Sequence, residues 1–231
     1  MLPLLLSNRR VLLSGVGVSA ALVMAATLWL SQLASDSARD HEPSARGEIL
    51  THPPWIYGRT DARFTVVEYA DLECPYCRAY FPVLQQWIKD HRDVNWQWHH
   101  FLPSTQEPAA RQAAHLAECV GESQGNSAFW STIDWIYKHS RGSGAELPSE
   151  IRLSAMSATV QACLEAGRFL DHIQAETAAA AREGITATPT LRLIDRENGK
   201  TLTLQGPIEG NALLSAIDLL ISTTDSSPGT E

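Results

Sequence analysis

The sequence predicts an α/β fold whose sheet is split by a helical insert and preceded by an N-terminal membrane-targeting helix. Three observations carry that expectation. Phe64-Thr65-Val66-Val67-Glu68-Tyr69-Ala70 is dense in β-branched and aromatic residues and almost continuously apolar, the pattern of a strand covered on both faces. A helical pattern and a second strand follow directly, which calls for a right-handed crossover and a parallel pair. From Glu107 to about Gly184 the pattern is helical almost throughout, and strand character returns only at Thr190.

Taken in chain order, Val11 to Leu30 form an uncharged run rich in Val, Leu and Ala, directly after Arg9 and Arg10. At 1.5 Å rise per residue such a run just crosses roughly 30 Å of hydrocarbon. The basic pair keeps its end cytoplasmic, so the chain that follows is expected to be exported. An uncleaved anchor is expected, with a cleaved signal as the alternative, because a cut after Ala34 puts Gln32 where signal peptidase needs a small residue. Asn8-Arg9-Arg10-Val11 also has the outline of a loose twin-arginine export signal. Ser31 to Pro54 is polar and reads as a linker.

Past the first strand, Asp71-Leu72-Glu73 reads as a short turn whose two acids lie at the surface. Pro75 fits the first turn of a helix, where a missing N–H costs nothing. Phe81, Leu84, Trp87 and Ile88 make its buried face, and Pro82 predicts a kink. Val94 to Trp98 alternates as the second strand. In the insert, Ala110, Ala113, Ala114 and Ala117 form a small-residue face and Phe129, Ile133, Trp135 and Ile136 a bulky one. Thr190 to Ile194 and Thr201 to Leu204 flank Asn198-Gly199 and read as a hairpin. A last helix from about Ile208 to Leu220 turns Leu213, Leu214, Ile217 and Leu220 or Ile221 inward.

Composition narrows the function classes. The chain has 231 residues with 44% hydrophobic and 19% charged residues, which is ordinary globular usage. Its net charge of -8, with no run of Lys or Arg longer than two, argues against a nucleic-acid partner. Four cysteines are too few for a disulfide-stapled miniprotein.

Two of the four stand as Cys74-Pro75-Tyr76-Cys77. At the start of a helix, unpaired N–H groups and the helix dipole favour a thiolate on Cys74, which is expected to be the exposed sulfur. Cys77 lies one turn behind and is expected to be less exposed. Thiol–disulfide exchange needs one reachable nucleophile and one nearby resolving thiol, and this spacing supplies both. A structural disulfide and half of a zinc site are the competing readings. A loop this short stabilises little, and Cys119 and Cys163 do not form a second knuckle at the usual spacing, so no metal is expected. His99 and His100 adjoin on a strand and point oppositely, which suits sheet-face polarity or a substrate rim better than a metal.

The segment Val67-Glu68-Tyr69-Ala70-Asp71-Leu72-Glu73-Cys74-Pro75-Tyr76-Cys77, with Phe81 after it, resembles the active-site segment of the DsbA-like thiol-disulfide oxidoreductases of the thioredoxin superfamily. Gln124-Gly125 with Phe129-Trp130, Ala162-Cys163-Leu164 with Phe169, and Gly184 to Thr190 resemble further segments of that family in the same order. The resemblance runs from about Pro53 to Leu220 and implies a thioredoxin-like fold with an inserted helical subdomain. The expected division is a cytoplasmic N-terminus (1–10), signal anchor or signal peptide (11–30), polar linker (31–54), thioredoxin-like domain in two parts (55–105 and 185–222), inserted subdomain (106–184) and polar tail (223–231).

The resemblance also implies roles. Pro189 would be the cis-proline facing the active-site pair, with Thr188 before it offering backbone groups to an extended substrate. Glu68, six residues before Cys74, would be a buried acid that takes and returns a proton as Cys77 reacts. Pro75 and Tyr76 would tune the thiolate, and Tyr76, standing where the best-known members have histidine, implies weaker oxidising power. Cys119 and Cys163 would form a structural bridge, with two buried free thiols as the alternative. The implied activity is a dithiol oxidase that gives disulfides to reduced or misoxidised exported proteins and is reset by a membrane redox partner. It needs no cofactor and works as a monomer, tethered to the inner membrane on the periplasmic side of a bacterial envelope or soluble there after signal cleavage. A disulfide reductase or isomerase and a non-catalytic peptide-binding chaperone or assembly factor are the alternatives.

Overall fold

The computed structural model describes residues 53–103, 107–140, 142 and 154–222. The anchor expected at Val11 to Leu30, nearly all of the linker and the 223–231 tail lie outside the described residues. Among the described residues no helix is long and apolar enough to cross a membrane.

The elements are β1 (Ile56–Tyr57), β2 (Phe64–Ala70), α1 (Pro75–Asp90), β3 (Val94–His100), α2 (Glu107–Gln124), α3 (Asn126–His139), α4 (Ala158–Glu165), α5 (Leu170–Arg182), β4 (Thr190–Asp195), β5 (Thr201–Gln205) and α6 (Gly210–Ser222). The strands form one sheet in the order β1-β3-β2-β4-β5. β2 and β3 run parallel across the α1 crossover, and the other pairs are antiparallel. This is the mixed sheet with inserted helices of a thioredoxin fold.

The central place of β2 explains its composition, since all seven residues are buried. Phe64, Val66 and Ala70 join the main core with Trp96 and Trp98 of β3 and Phe81, Leu84 and Ile88 of α1. Val67 and Tyr69 face the other way, into a smaller cluster with Phe101, Ala180 and Ile185. Side chains alternate across a strand, so Glu68 falls on the main-core face. α1 continues past Pro82 to Asp90 as a single helix. Its Trp87 lies where a Cβ on Gly210 would come within 2.7 Å of the indole, so α6 can begin there only with glycine. α6 starts two residues later than its sequence pattern suggests. It buries Leu213, Ala216, Ile217 and Leu220, whereas Leu214 and Ile221 are exposed, because its inward stripe centres on Ala216.

The insert is tied to the sheet at the point where the chain enters β1. The Trp55 indole N–H donates to both Glu118 carboxylate oxygens, at 3.0 and 2.9 Å, and its ring stacks on Phe129 at 4.8 Å. Gly121 makes room for it: a Cβ there would sit 2.6 Å from the Trp55 ring. Asn126 closes the contact by pairing with both backbone groups of Ile56.

Within the insert, a disulfide joins Cys119 of α2 to Cys163 of α4 across 44 residues of sequence. Closing a loop of that length removes about 4 kcal/mol of unfolded-state entropy. Cys119→Ser/Cys163→Ser is therefore expected to lose a few kcal/mol of stability in urea unfolding, with an m-value that rises as the unbridged denatured chain expands. A midpoint equal to the parent's would contradict this.

Candidate active site

β2 ends at Ala70, and the chain turns through Asp71-Leu72-Glu73 into α1. The turn is held by local bonds: the Glu73 N–H donates to Asp71 Oδ1 at 2.8 Å and the Cys74 N–H to the Asp71 carbonyl at 3.1 Å. Cys74 is the residue at the helix N-cap, with φ -74° and ψ 122°, and Pro75 opens the helix. Its sulfur thus lies where the first helical N–H groups have no intrahelical partner.

That position decides the charge of the pair. The Cys74 thiol is pulled down to about 5, first by a hydrogen bond from the Cys77 side chain, with support from Thr188 and the backbone N–H groups of Cys77 and Tyr76. Burial works against this and loses. Cys77 is pushed well above the usual thiol range, chiefly by burial and then by its hydrogen bond to Cys74. At neutral pH the pair is one thiolate and one thiol.

The sequence expects the Cys74 sulfur to be exposed, but the residue keeps only 8% of its surface, while Cys77 keeps none. The cover comes in part from the loop before β4, where the Thr188 carbonyl oxygen lies 3.4 Å from the Cys74 sulfur. The Thr188–Pro189 peptide bond is cis. Behind it the Thr190 hydroxyl donates to the Ala187 carbonyl and the Gly206 N–H to the Pro189 carbonyl, fixing the loop at the start of β4. Tyr76 points away, 67% exposed, beside the cysteine pair.

Glu68 lies beneath the pair. It is buried with neither carboxyl oxygen hydrogen-bonded, and desolvation raises it to about 8. The Trp96 indole eases that push without reaching hydrogen-bond geometry. The negative charge of Glu68, when ionised, in turn helps hold the Cys77 proton. The carboxyl is therefore mostly protonated at pH 7 and within electrostatic reach of Cys77.

Asp71 and Glu73 correct the sequence reading, which puts both at the surface. They are 2% and 1% exposed. Partners from the insert cover them: the Tyr137 hydroxyl donates to the Asp71 carbonyl and the Ser140 hydroxyl to Glu73 Oε1. Arg78 of α1 and the Gly142 N–H both donate to Ser140 Oγ, so the chain after α3 is stitched to the active-site turn. Burial raises the Asp71 carboxyl to about 7, and the nearby Cys74 charge adds to it.

A sequence profile described as Thioredoxin matches residues 51–217. The chain belongs to the thioredoxin family. Within it, this is a DsbA-like thiol-disulfide oxidoreductase, similar over 75% of its length to 97% of DsbA2 from Pseudomonas aeruginosa, at 39% identity and a TM-score of 0.70. Alpha-DsbA1 from Wolbachia pipientis shares the fold at 19% identity and a TM-score of 0.59, over 73% of this chain and 91% of that one. The Na(+)/H(+) antiporter NhaA 3 of Salinispora tropica is 30% identical over 172 residues, which is 70% of this chain and 24% of that protein. The chain thus spans about a quarter of the length of that curated relative.

Around one end of β2, the DsbA-like chain brings together Cys74, Pro75, Tyr76 and Cys77 from α1 and its cap, Glu68 from the strand, and Thr188 and Pro189 from the loop before β4. The Cys119–Cys163 bridge belongs to the insert. His99 and His100 do point oppositely, but neither forms a rim. Trp98 Nε1 donates to His100 Nδ1, so the buried, neutral His100 ring carries its proton on Nε2 and donates to Glu118. His99 lies against the Glu176 backbone carbonyl. The sequence reading passes over Glu118, Ser140 and Tyr137, whose partners are 18 to 67 positions away and leave no local signal.

Proposed function

We propose that this oxidoreductase is a dithiol oxidase for exported proteins. The observation that carries the reading is the asymmetry of its thiols, Cys74 lowered to about 5 and Cys77 raised well above the usual range. Stabilising the reduced pair as a thiolate makes its disulfide an oxidant. In the forward step a substrate thiolate attacks the Cys74 sulfur of the Cys74–Cys77 disulfide. Cys77 leaves as a thiolate and takes a proton from neutral Glu68. A second substrate thiol, as thiolate, then attacks the substrate sulfur of the mixed disulfide, and Cys74 departs as its stabilised anion. The substrate gains a disulfide, the oxidoreductase becomes a dithiol, and a membrane redox partner of opposite electron demand resets it.

In this reading Pro75 and Tyr76 tune the thiolate, and Thr188 and Pro189 present backbone to an extended substrate beside the sulfur. The 11–30 run anchors the catalytic part on the periplasmic side of the inner membrane, or directs its export if cleaved. Thr188 before the cis-proline, with Tyr76 between the thiols, favours a reductase or isomerase as the second reading.

The test compares oxidation of a reduced model protein by the parent and by Cys74→Ser. Loss of the reaction in the variant is expected. Equal rates would remove every redox reading and leave a peptide-binding chaperone. Equilibration of the pair against glutathione then fixes direction: a potential above that of the periplasm supports the oxidase, one well below it the reductase.

A further inference from the structure

The second cysteine pair has a third neighbour. His115 lies one helical turn before Cys119 on α2, so the two share a face. A ring nitrogen of His115 and the sulfurs of Cys119 and Cys163 all lie within 4.8 Å of one another. All three residues are buried, His115 at 7% exposure. Its Nε2 is buried without a hydrogen-bond partner, which is costly for a polar atom in a packed insert. The ring does hydrogen-bond to the Arg168 backbone, and with Nε2 unpartnered that bond falls to Nδ1. A histidine whose Nδ1–H is held by a backbone carbonyl presents the lone pair of Nε2, the arrangement by which metal-ligating histidines are oriented.

We propose that, when the Cys119–Cys163 bridge is reduced, His115, Cys119 and Cys163 form a binding site for a thiolate-preferring divalent cation, zinc by chemistry. Two thiolates and one imidazole from α2 and α4 supply three soft or borderline ligands, and a tetrahedral ion has its fourth position left for water. The chemistry balances with an external dithiol. It gives two electrons and two protons to the bridge and leaves as a disulfide. The cation then displaces both thiol protons to solvent as the two metal–sulfur bonds form. A surface cavity of about 410 Å³, lined by His115, Leu164, Met156 and Glu73, reaches the histidine of the three from outside, while neither cysteine lines it. The metal would hold α2 to α4 in place of the covalent bond, so the insert keeps its docking when the bridge opens. None of this depends on the redox direction assigned to Cys74 and Cys77.

The full chain carrying Cys74→Ser/Cys77→Ser isolates the second pair. Reduced with a phosphine and titrated with Co²⁺ in the absence of air, it is expected to take up one ion per chain with a thiolate-to-metal charge-transfer band, and Zn²⁺ should displace it. The oxidised form should take up none. His115→Gln should weaken binding on the order of tenfold or more, and adding Cys119→Ser/Cys163→Ser should abolish it. Far-UV circular dichroism follows the fold in each sample. Failure of the reduced chain to bind one ion overturns the proposal. So does binding as tight in His115→Gln, or loss of the fold on reduction that metal does not restore.

Discussion

Alkylation of the reduced protein should follow a titration with its midpoint near pH 5 at Cys74 and leave Cys77 unmodified until well above pH 9. At pH 6 only Cys74 should be labelled, as read by mass spectrometry after a short exposure to iodoacetamide. The leading cause of the lowered value is the hydrogen bond from the Cys77 side chain, so Cys77→Ala should move the Cys74 midpoint upward by at least about one pH unit. An unmoved midpoint would assign the effect to the helix start alone. The sign for stability follows from a depressed value. The stabilisation that the reduced fold gains from this thiolate is complete above pH 9, the ordinary thiol value, and lost as pH falls through about 5. The reduced form should therefore lose stability relative to the oxidised form as pH is lowered across that window.

Glu68→Gln should give the second large effect, and in two separable measurements. A buried acid raised from 4.5 to about 8 works in the opposite sense to the thiol. Its contribution is fully present below pH 4.5 and falls away as pH rises through 8, an amount on the order of 5 kcal/mol over that span. Glutamine keeps the shape and cannot ionise, so the variant should unfold with a flatter pH dependence between 4.5 and 8 and be more stable than the parent at pH 8. In exchange kinetics the same variant should still be attacked at Cys74, yet steps in which Cys77 leaves or returns should slow at neutral pH. A flat pH profile with unchanged Cys77 kinetics would make Glu68 a structural acid with no part in proton transfer.

The sequence makes the central architecture readable because it is written in local patterns. β2 announces itself by an unbroken apolar run, α1 by a proline placed where a helix begins, and the β4–β5 hairpin by Asn198-Gly199, where Gly199 takes φ 73°. What the sequence hides depends on distant partners. Asp71 and Glu73 look like surface acids in a turn, yet both are buried and bonded by Tyr137 and Ser140, more than sixty positions on. His100 is indistinguishable from an edge histidine until Glu118 and Trp98 are seen around it. Leu214 satisfies the helical spacing and still faces outward, because α6 meets the sheet through the smaller Ala216. β1, with two residues, is too short to carry a pattern of its own.

The anchoring of Trp55 has a consequence for how this molecule comes apart. Its backbone carbonyl accepts from the Trp98 N–H of the sheet while its indole is held by Glu118 and stacked on Phe129 of the insert, so one residue belongs to both halves. Neither half can melt while the other stays whole without exposing a tryptophan and stranding a buried carboxylate. Heating should accordingly produce a single cooperative transition, with enthalpies from calorimetry and from the slope of the curve in agreement.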